Sequence, residues 1–305
     1  MVDQGSSSAN QARRRRFGEV DGSYGEHNQF RSQSPFLSFE ERLQVSRLIY
    51  SNTLPAVGGY SRRHRTEEAA IRYRDLCLRG FIAQGSLDPR ALELEDVFEI
   101  IDSLGWSYTV LHVNPFCPRV VREFISNHPY DDEGTLIRGY LYQFTPTVIN
   151  RLMNTPSLDH SFEWEYVDLN EAISLLTGKQ CSRWKGFSLN DLLKHFKVLY
   201  RVCELNWLPG TDSDSMIKNR LRLIFAAATG KKISFGHLVY DQVTDMTRSS
   251  DPKLSIIFPN LIYQLLVLQK EIPLLPVDED PIGKGVPIYG FTGDTSGRRT
   301  RRQMN

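Results

Sequence analysis

The chain has 305 residues, 40% of them hydrophobic, and a formal net charge of +1, so it can bury a core and carries no overall field toward nucleic acid or membrane. Its four cysteines lack the close Cys/His spacing that a zinc finger or knuckle needs. With no signal-peptide h-region and no apolar run of ~18 residues, we expect a nuclear or cytoplasmic protein that is neither secreted nor membrane-bound.

Composition divides the chain into four segments. Residues 1–35 are rich in Ser, Gly, Gln, Asn and Arg and predict a disordered tail, because such a segment buries too little apolar surface to fold. Residues 36–65 predict a helix followed by a mobile linker with several Gly and Pro positions. Residues 66–280 predict a helical domain, and residues 281–305 return to tail composition and predict a second disordered, Arg-rich tail.

Helix signals follow one another through the predicted domain. Thr66, with two acids behind it, predicts a capped helix that ends before Gly80. Apolar residues from Leu94 to Leu104 recur at the spacing of one helix face. Capping side chains or prolines at a first helical position mark further helix starts at Pro118, Thr145-Pro146, Asp168, Ser188, Ser234 and Pro259.

One stretch differs from this helical pattern. Residues 134–144, GTLIRGYLYQF, are rich in aromatic and β-branched side chains and predict a short strand or hairpin. The expected fold class is therefore mainly α: a multi-helical globular domain with at most a small β-hairpin, flanked by disordered tails.

Residues 204–236, ELNWLPGTDSDSMIKNRLRLIFAAATGKKISFG, predict a helical hairpin. Ser188 is expected to cap one helix over residues 189–205, and Asp212 or Ser213 to cap the next. Because lone aromatic residues are usually packing residues, we interpret Trp207 as the core anchor of the turn; the alternative is a stacking platform for a base. The residues expected to define this structural motif are Trp207, Pro209 and Gly230.

The sequence shows no convincing catalytic motif. Thr229-Gly230-Lys231 reads TGK and contains the Gly-Lys pair of a phosphate-binding P-loop, but this glycine ends a predicted helix, whereas a P-loop lysine begins one. The acids Asp168 and Asp241 are expected on helices rather than in a two-metal nuclease site. We therefore expect no catalytic residues, no metal site, no cofactor and no enzymatic activity.

Arginine clusters carry the binding signal. Short basic clusters neutralise phosphates or direct nuclear import, so they predict weak, non-specific and salt-dependent binding of RNA or DNA. The alternative is a solvated tail that only aids solubility. The arginines in question are Arg13, Arg14, Arg15, Arg16, Arg298, Arg299, Arg301 and Arg302.

A family resemblance rests on six segments, which occur in the order LRGFIAQGSLD, SLGWSYTVLHVNPFCPRVVREFISN, RGYLYQFTPTVINRLMNTP, LNWLPGTDSD, LRLIFAAATGKKISFGHLVYDQV and IIFPNLIYQLLVLQKEIPLLPVDED. Over residues 78–280 the chain resembles the plant transposon protein domain family, similar in style to the first open reading frame of plant Athila-type retroelements. The resemblance implies a transposable-element origin and no assigned catalytic site.

The sequence thus favours an element-derived, non-enzymatic protein, Gag-like or otherwise part of a nucleoprotein. Expected partners are RNA or DNA, the chain itself, or other element or host proteins. Three alternatives stay open: a host-co-opted helical adaptor without a nucleic-acid role, a relic fragment, and a metal-dependent transposase or nuclease.

Overall fold

The computed structural model describes residues 37–50, 63–111, 113–128 and 134–290, which are mainly helical. The predictions for residues 1–35, for most of the linker and for both arginine clusters lie outside these ranges. The α-helices of the described part are α1 (Phe39–Tyr50), α2 (Glu67–Leu76), α3 (Glu95–Ser103), α4 (Pro118–Asn127), α5 (Pro146–Met153), α6 (Leu169–Leu176), α7 (Lys194–Val202), α8 (Asp214–Ala228), α9 (Phe235–Arg248) and α10 (Pro259–Gln269). The short strands are β1 (Gly85–Leu87), β2 (Thr135–Ile137), β3 (Tyr140–Tyr142) and β4 (Val286–Ile288).

Capping side chains or prolines stand at the predicted helix starts. The side chains of Thr66, Thr145 and Asp168 accept backbone N–H groups in the first turns of α2, α5 and α6. Ser213 and Ser234 cap α8 and α9 in the same way. Prolines occupy the first positions of α4, α5 and α10. These predictions are confirmed.

The prediction of one continuous helix over residues 189–205 is wrong. Ser188 and Asp191 form a capping box around a single 3-10 turn, after which Leu192 and Leu193 are extended and α7 begins at Lys194. The cap therefore closes a turn rather than a long helix. At its other end, α7 widens into a π-helical turn over Cys203–Trp207, which we call the π turn.

The two small sheets pair different kinds of segments. β2 and β3 form the hairpin predicted from residues 134–144, and its turn residues Arg138 and Gly139 both have positive φ, as a tight two-residue connection favours. β1 pairs in parallel with β4, which lies about 200 positions later in the chain. The fold class, mainly α with little sheet, is confirmed.

The predicted tail boundary at residue 281 lies too early. Residues 281–290 bind the folded part: Ile282 exchanges two backbone hydrogen bonds with Phe116, and Val286 N–H donates to the Gln84 carbonyl. Asn260 Nδ2 also donates to the Gly283 carbonyl at 2.5 Å. This segment is rich in Gly and Pro and is held by backbone pairing, so composition alone could not distinguish it from a tail.

Helix pairs enclose one extensive core. α5 packs on α9, α1 on α10, α2 on α4, and α6 on α8. Gly236 allows the close approach of α5 and α9, because a Cβ there would lie 2.2 Å from the Pro146 carbonyl oxygen. In the centre, the Trp106 ring makes edge contacts with Trp207 and Phe235. In the described part of the chain, no helix combines the length and apolar character needed to cross a membrane.

Buried side-chain amides fix distant segments against each other. Each binds backbone N–H or C=O groups far away in sequence, much as a neighbouring strand would. Asn150 Oδ1 accepts from Gly236 N–H at 2.7 Å. Gln269 both accepts from Gln143 N–H and donates to its carbonyl, each at 2.9 Å. Other amides of this kind are Gln84, Asn127, Asn206 and Asn260.

Candidate functional site

Trp207 is part of the core. Its side chain is fully buried, and its indole Nε1–H donates to Thr109 Oγ1 at 3.0 Å. Its ring meets Trp106 edge-on with centroids 5.1 Å apart. Because neither face of the ring reaches solvent, this geometry offers no platform on which a base could stack.

A buried arginine that the sequence interpretation missed holds the turn after Trp207. Arg220, on α8, is fully buried and donates to the Leu208 carbonyl at 3.0 Å and to the Gly210 carbonyl at 2.9 Å. It also forms an ion pair with Asp212. The guanidinium thus encloses the turn at Pro209 and ties it to the following helix. A signal was present: at helical spacing Arg220 shares a face with Ile224 and Ala227.

Asn206 fixes the preceding side of the same turn. Its Oδ1 accepts from Gly85 N–H at 2.9 Å, and its Nδ2 donates to the carbonyls of Gly85 at 2.8 Å and Thr109 at 2.7 Å. With these three hydrogen bonds, the buried amide joins the π turn to Gly85 of β1 and to Thr109.

Gly230 ends α8 in a left-handed conformation with φ +69°. Its N–H donates to the Ala227 carbonyl at 3.1 Å, and Lys231 N–H donates to the Ala226 carbonyl at 2.9 Å. This pair of bonds is the Schellman arrangement of a helix C-terminus. A phosphate-binding loop would need N–H groups at the opposite helix end, so the geometry at Gly230 is that of a helix stop.

Beside the turn lies an open groove of about 500 Å³ between residues 161–165, the start of α8 and the start of α9. We call it the 161–165 groove. Its apolar lining comprises Phe162, Trp164, Leu208, Met216, Ile233 and Leu238. Its polar lining includes Glu163, Glu165, Asn219, His237, Asp241 and Gln242. Because the three carboxylates are all exposed, the groove suits a ligand that combines positive charge with apolar surface.

Ser234 and His237 line this groove and touch each other, with 2.8 Å between Ser234 Oγ and His237 Nδ1. Ser234 is buried, and its hydroxyl also accepts the backbone N–H of His237 as the cap of α9. A nucleophilic serine needs an exposed hydroxyl that can reach a substrate. The pair therefore stabilises the helix start.

Among the described residues, the most deeply buried carboxylate forms part of an ion-pair network. Glu123, on α4, is fully buried and binds Arg63 at 2.9 Å and Arg138 at 3.3 Å. Arg138 also pairs with Asp278 at 2.6 Å. Burial alone would raise the pKa of Asp278, but the hydrogen bonds from Arg138 and from Leu275 N–H outweigh it and lower the pKa overall. The network binds the β2–β3 turn and the segment after α10 to α4.

The structure brings some of the sequence-predicted site residues together and does not describe the others. Trp207, Pro209 and the Arg220 side chain meet in one turn, and Gly230 lies at the far end of α8. No cluster of three or more metal-ligating acids, histidines or cysteines occurs among the described residues. The eight clustered arginines, Arg13 to Arg16 and the four between 298 and 302, lie outside these residues.

Comparisons with known proteins identify the family. The family model described as "Putative plant retrotransposon-related domain" matches residues 102–271, which are more than half of the chain. No curated protein and no solved structure matches the chain. The matched span runs from the end of α3 through α10 and contains the Trp207 turn, Arg220 and the 161–165 groove. The resemblance drawn from the sequence is confirmed, and the chain belongs to the plant retrotransposon-related domain family.

Proposed function

We propose that this transposon-derived protein is a non-enzymatic, Gag-like component of a nucleoprotein that binds RNA or DNA non-specifically through its two arginine clusters. The observation that carries the proposal is the placement of four arginines at 13–16 and four at 298–302, on either side of a folded part from a retrotransposon-related family. Dense arginine clusters release counterions from a phosphate backbone without reading the bases.

Arginines inside the folded part have structural roles, which supports the assignment of nucleic-acid binding to the two clusters. Hydrogen bonds to internal carbonyl or carboxylate oxygens are donated by Arg220, Arg138 and Arg222. Arg47 donates to the Val267 carbonyl at 3.1 Å. Since these guanidinium groups hold the fold, they have little left to offer a phosphate, and the terminal clusters remain the densest source of positive charge.

The structural use of buried polar side chains supports the assignment of a non-enzymatic role. Two buried side chains of types suited to acid, base or nucleophilic chemistry are engaged in structural bonds: Glu123 between two arginines and Ser234 as a helix cap. A catalytic group must instead be free to change its bonding during a reaction.

Binding of a fluorescent single-stranded RNA at low salt tests the proposal. The full chain is compared with a variant in which all eight clustered arginines are changed to Gln. We expect the variant to lose most of its affinity while its helical circular dichroism stays unchanged. If the two proteins bind alike, the clusters are not the binding site; if neither binds, the protein-adaptor alternative replaces the nucleoprotein role.

A further inference from the structure

The 161–165 groove carries a net negative charge. Three of its lining side chains are exposed carboxylates: Glu163, Glu165 and Asp241. His237, Asn219 and Gln242 add hydrogen-bonding groups. The apolar floor below them, with Leu208, Ile233 and Leu238, is buried. A groove of this kind attracts side chains with a long apolar stem and a cationic head.

One ring at the groove already holds a cation. The Lys231 ammonium lies 5.3 Å from the centroid of the Phe162 ring, within the range of a cation–π contact. Lys231 and the neighbouring Lys232 are exposed, and Phe162 N–H donates to the Lys232 carbonyl at 2.9 Å. An arginine binds such a ring better than a lysine, because its planar guanidinium stacks on the ring while it pairs with carboxylates.

The chain itself contains a ligand of the matching chemistry. The segment from Arg298 to Arg302 carries four arginines around Thr300, and it begins eight positions after Gly290, the last described residue. The other cluster, Arg13–Arg16, is joined to residue 37 by a longer stretch. Among connections that can span to a site, a shorter one gives the higher effective concentration, so we take the C-terminal cluster as the occupant.

We propose that the 161–165 groove is a docking site for the Arg298–Arg302 segment of this chain. Its three carboxylates pair with the guanidinium groups, and one guanidinium replaces the Lys231 ammonium on the Phe162 ring. The proposal goes beyond the nucleic-acid role and requires no RNA, so either one can fail without the other.

The test measures binding of a labelled peptide, SGRRTRRQMN (residues 296–305), to the full-length protein by fluorescence anisotropy. The receptor carries Arg298, Arg299, Arg301 and Arg302 changed to Gln, so that its own segment cannot compete. We expect saturable binding. Adding Glu163→Gln, Glu165→Gln and Asp241→Asn should weaken it at least about tenfold, since each lost carboxylate removes a charge-assisted contact.

The matched control changes three exposed acids elsewhere on the fold, Glu67, Glu99 and Glu271, to Gln. This control should bind the peptide as the receptor does. A peptide with lysine for arginine should bind more weakly, and the chain with its own arginines intact should bind the peptide more weakly than the receptor. Equal losses in the groove variant and the control, or equal affinities of the intact chain and the receptor, would overturn the proposal.

Discussion

The Trp207 side chain stabilises the structure in three ways. Its ring is buried, it meets the Trp106 ring edge-on, and its indole N–H donates a hydrogen bond to Thr109. We expect Trp207→Ala to lower the free energy of unfolding by roughly 3–5 kcal/mol, because a large cavity would open in the core. Denaturant unfolding measures the loss. The matched control is Tyr166→Ala, an aromatic residue that is 83% exposed.

A Trp207→Ala variant that unfolds at the same denaturant concentration as the parent would contradict the anchoring role. In that case the ring would have to be available for other contacts, and the interpretation as a stacking platform would return.

His128 makes stability depend on pH. Burial, with a smaller effect from Arg248, lowers its pKa to about 4, and its ring stacks on Phe124. The folded state therefore holds a neutral imidazole while the unfolded state, with a pKa of about 6.5, takes up a proton. Stability contributed by this group is complete above pH ~6.5 and is lost as the pH falls toward ~4, by at most about 1.4 kcal/mol per pH unit.

Denaturant unfolding between pH 7 and pH 4.5 tests this dependence. The variant His128→Phe, which keeps an aromatic ring at this position, should show a shallower fall in stability than the parent. His160→Ala, at an exposed histidine, should leave the profile unchanged. Parallel profiles for the parent and His128→Phe would contradict the assignment.

At the scale of elements, α8 and the turn before it depend on Arg220. Replacing Arg220 with Met keeps an unbranched apolar stem but removes the guanidinium, so that the Leu208 and Gly210 carbonyls lose their donor. We expect a loss of about 2–4 kcal/mol in the free energy of unfolding, since an unsatisfied buried group costs about 1–3 kcal/mol. Arg201→Met is the control, because Arg201 forms an exposed pair with Glu204. Equal stability of the two variants would contradict the role of Arg220.

The π turn and β1 are joined by Asn206. Asn206→Asp keeps the shape of the side chain but places a buried carboxylate against the carbonyls of Gly85 and Thr109. We expect a loss of about 3–5 kcal/mol near neutral pH, the range for an uncompensated buried charge. The same substitution at the exposed Asn190 should cost little. A stable Asn206→Asp protein would show that this amide does not hold β1 in place.

Local signals accounted for the helix starts but not for the long-range pairing. Thr66, Thr145 and Ser234 mark the starts of their helices in the sequence, because a cap acts within one turn of the helix. The pairing of β1 with β4 left no such signal, since neither three-residue strand has a pattern of its own. Nor could sequence show that Asn206 would meet Gly85, because that contact exists only once the chain has folded.

For the molecule as a whole, the mainly helical fold class was predictable from the sequence, whereas the pairing of helices distant in the chain and the 161–165 groove were not. Its residues come from three separate parts of the chain, and none of them forms a motif within its own segment. The sequence pattern predicted only that Asp241 is an acid on a helix. It becomes part of a charged groove because α9 packs beside residues 161–165 and the start of α8.

We propose that nucleic-acid binding belongs to the arginine clusters and not to the folded part. The salt dependence of single-stranded RNA binding by full-length proteins tests this division. One variant changes Arg298, Arg299, Arg301 and Arg302 to Gln. The matched control changes four exposed basic residues of the folded part, Arg183, Lys185, Lys194 and Lys232, to Gln.

We predict that the cluster variant binds more weakly and that its slope of log K against log salt is shallower by about 2–3, because each lost phosphate contact on a single strand removes about 0.7. The control should keep the parent slope. A parent-like slope in the cluster variant, with a reduced slope in the control, would place binding on the folded part and contradict the claim.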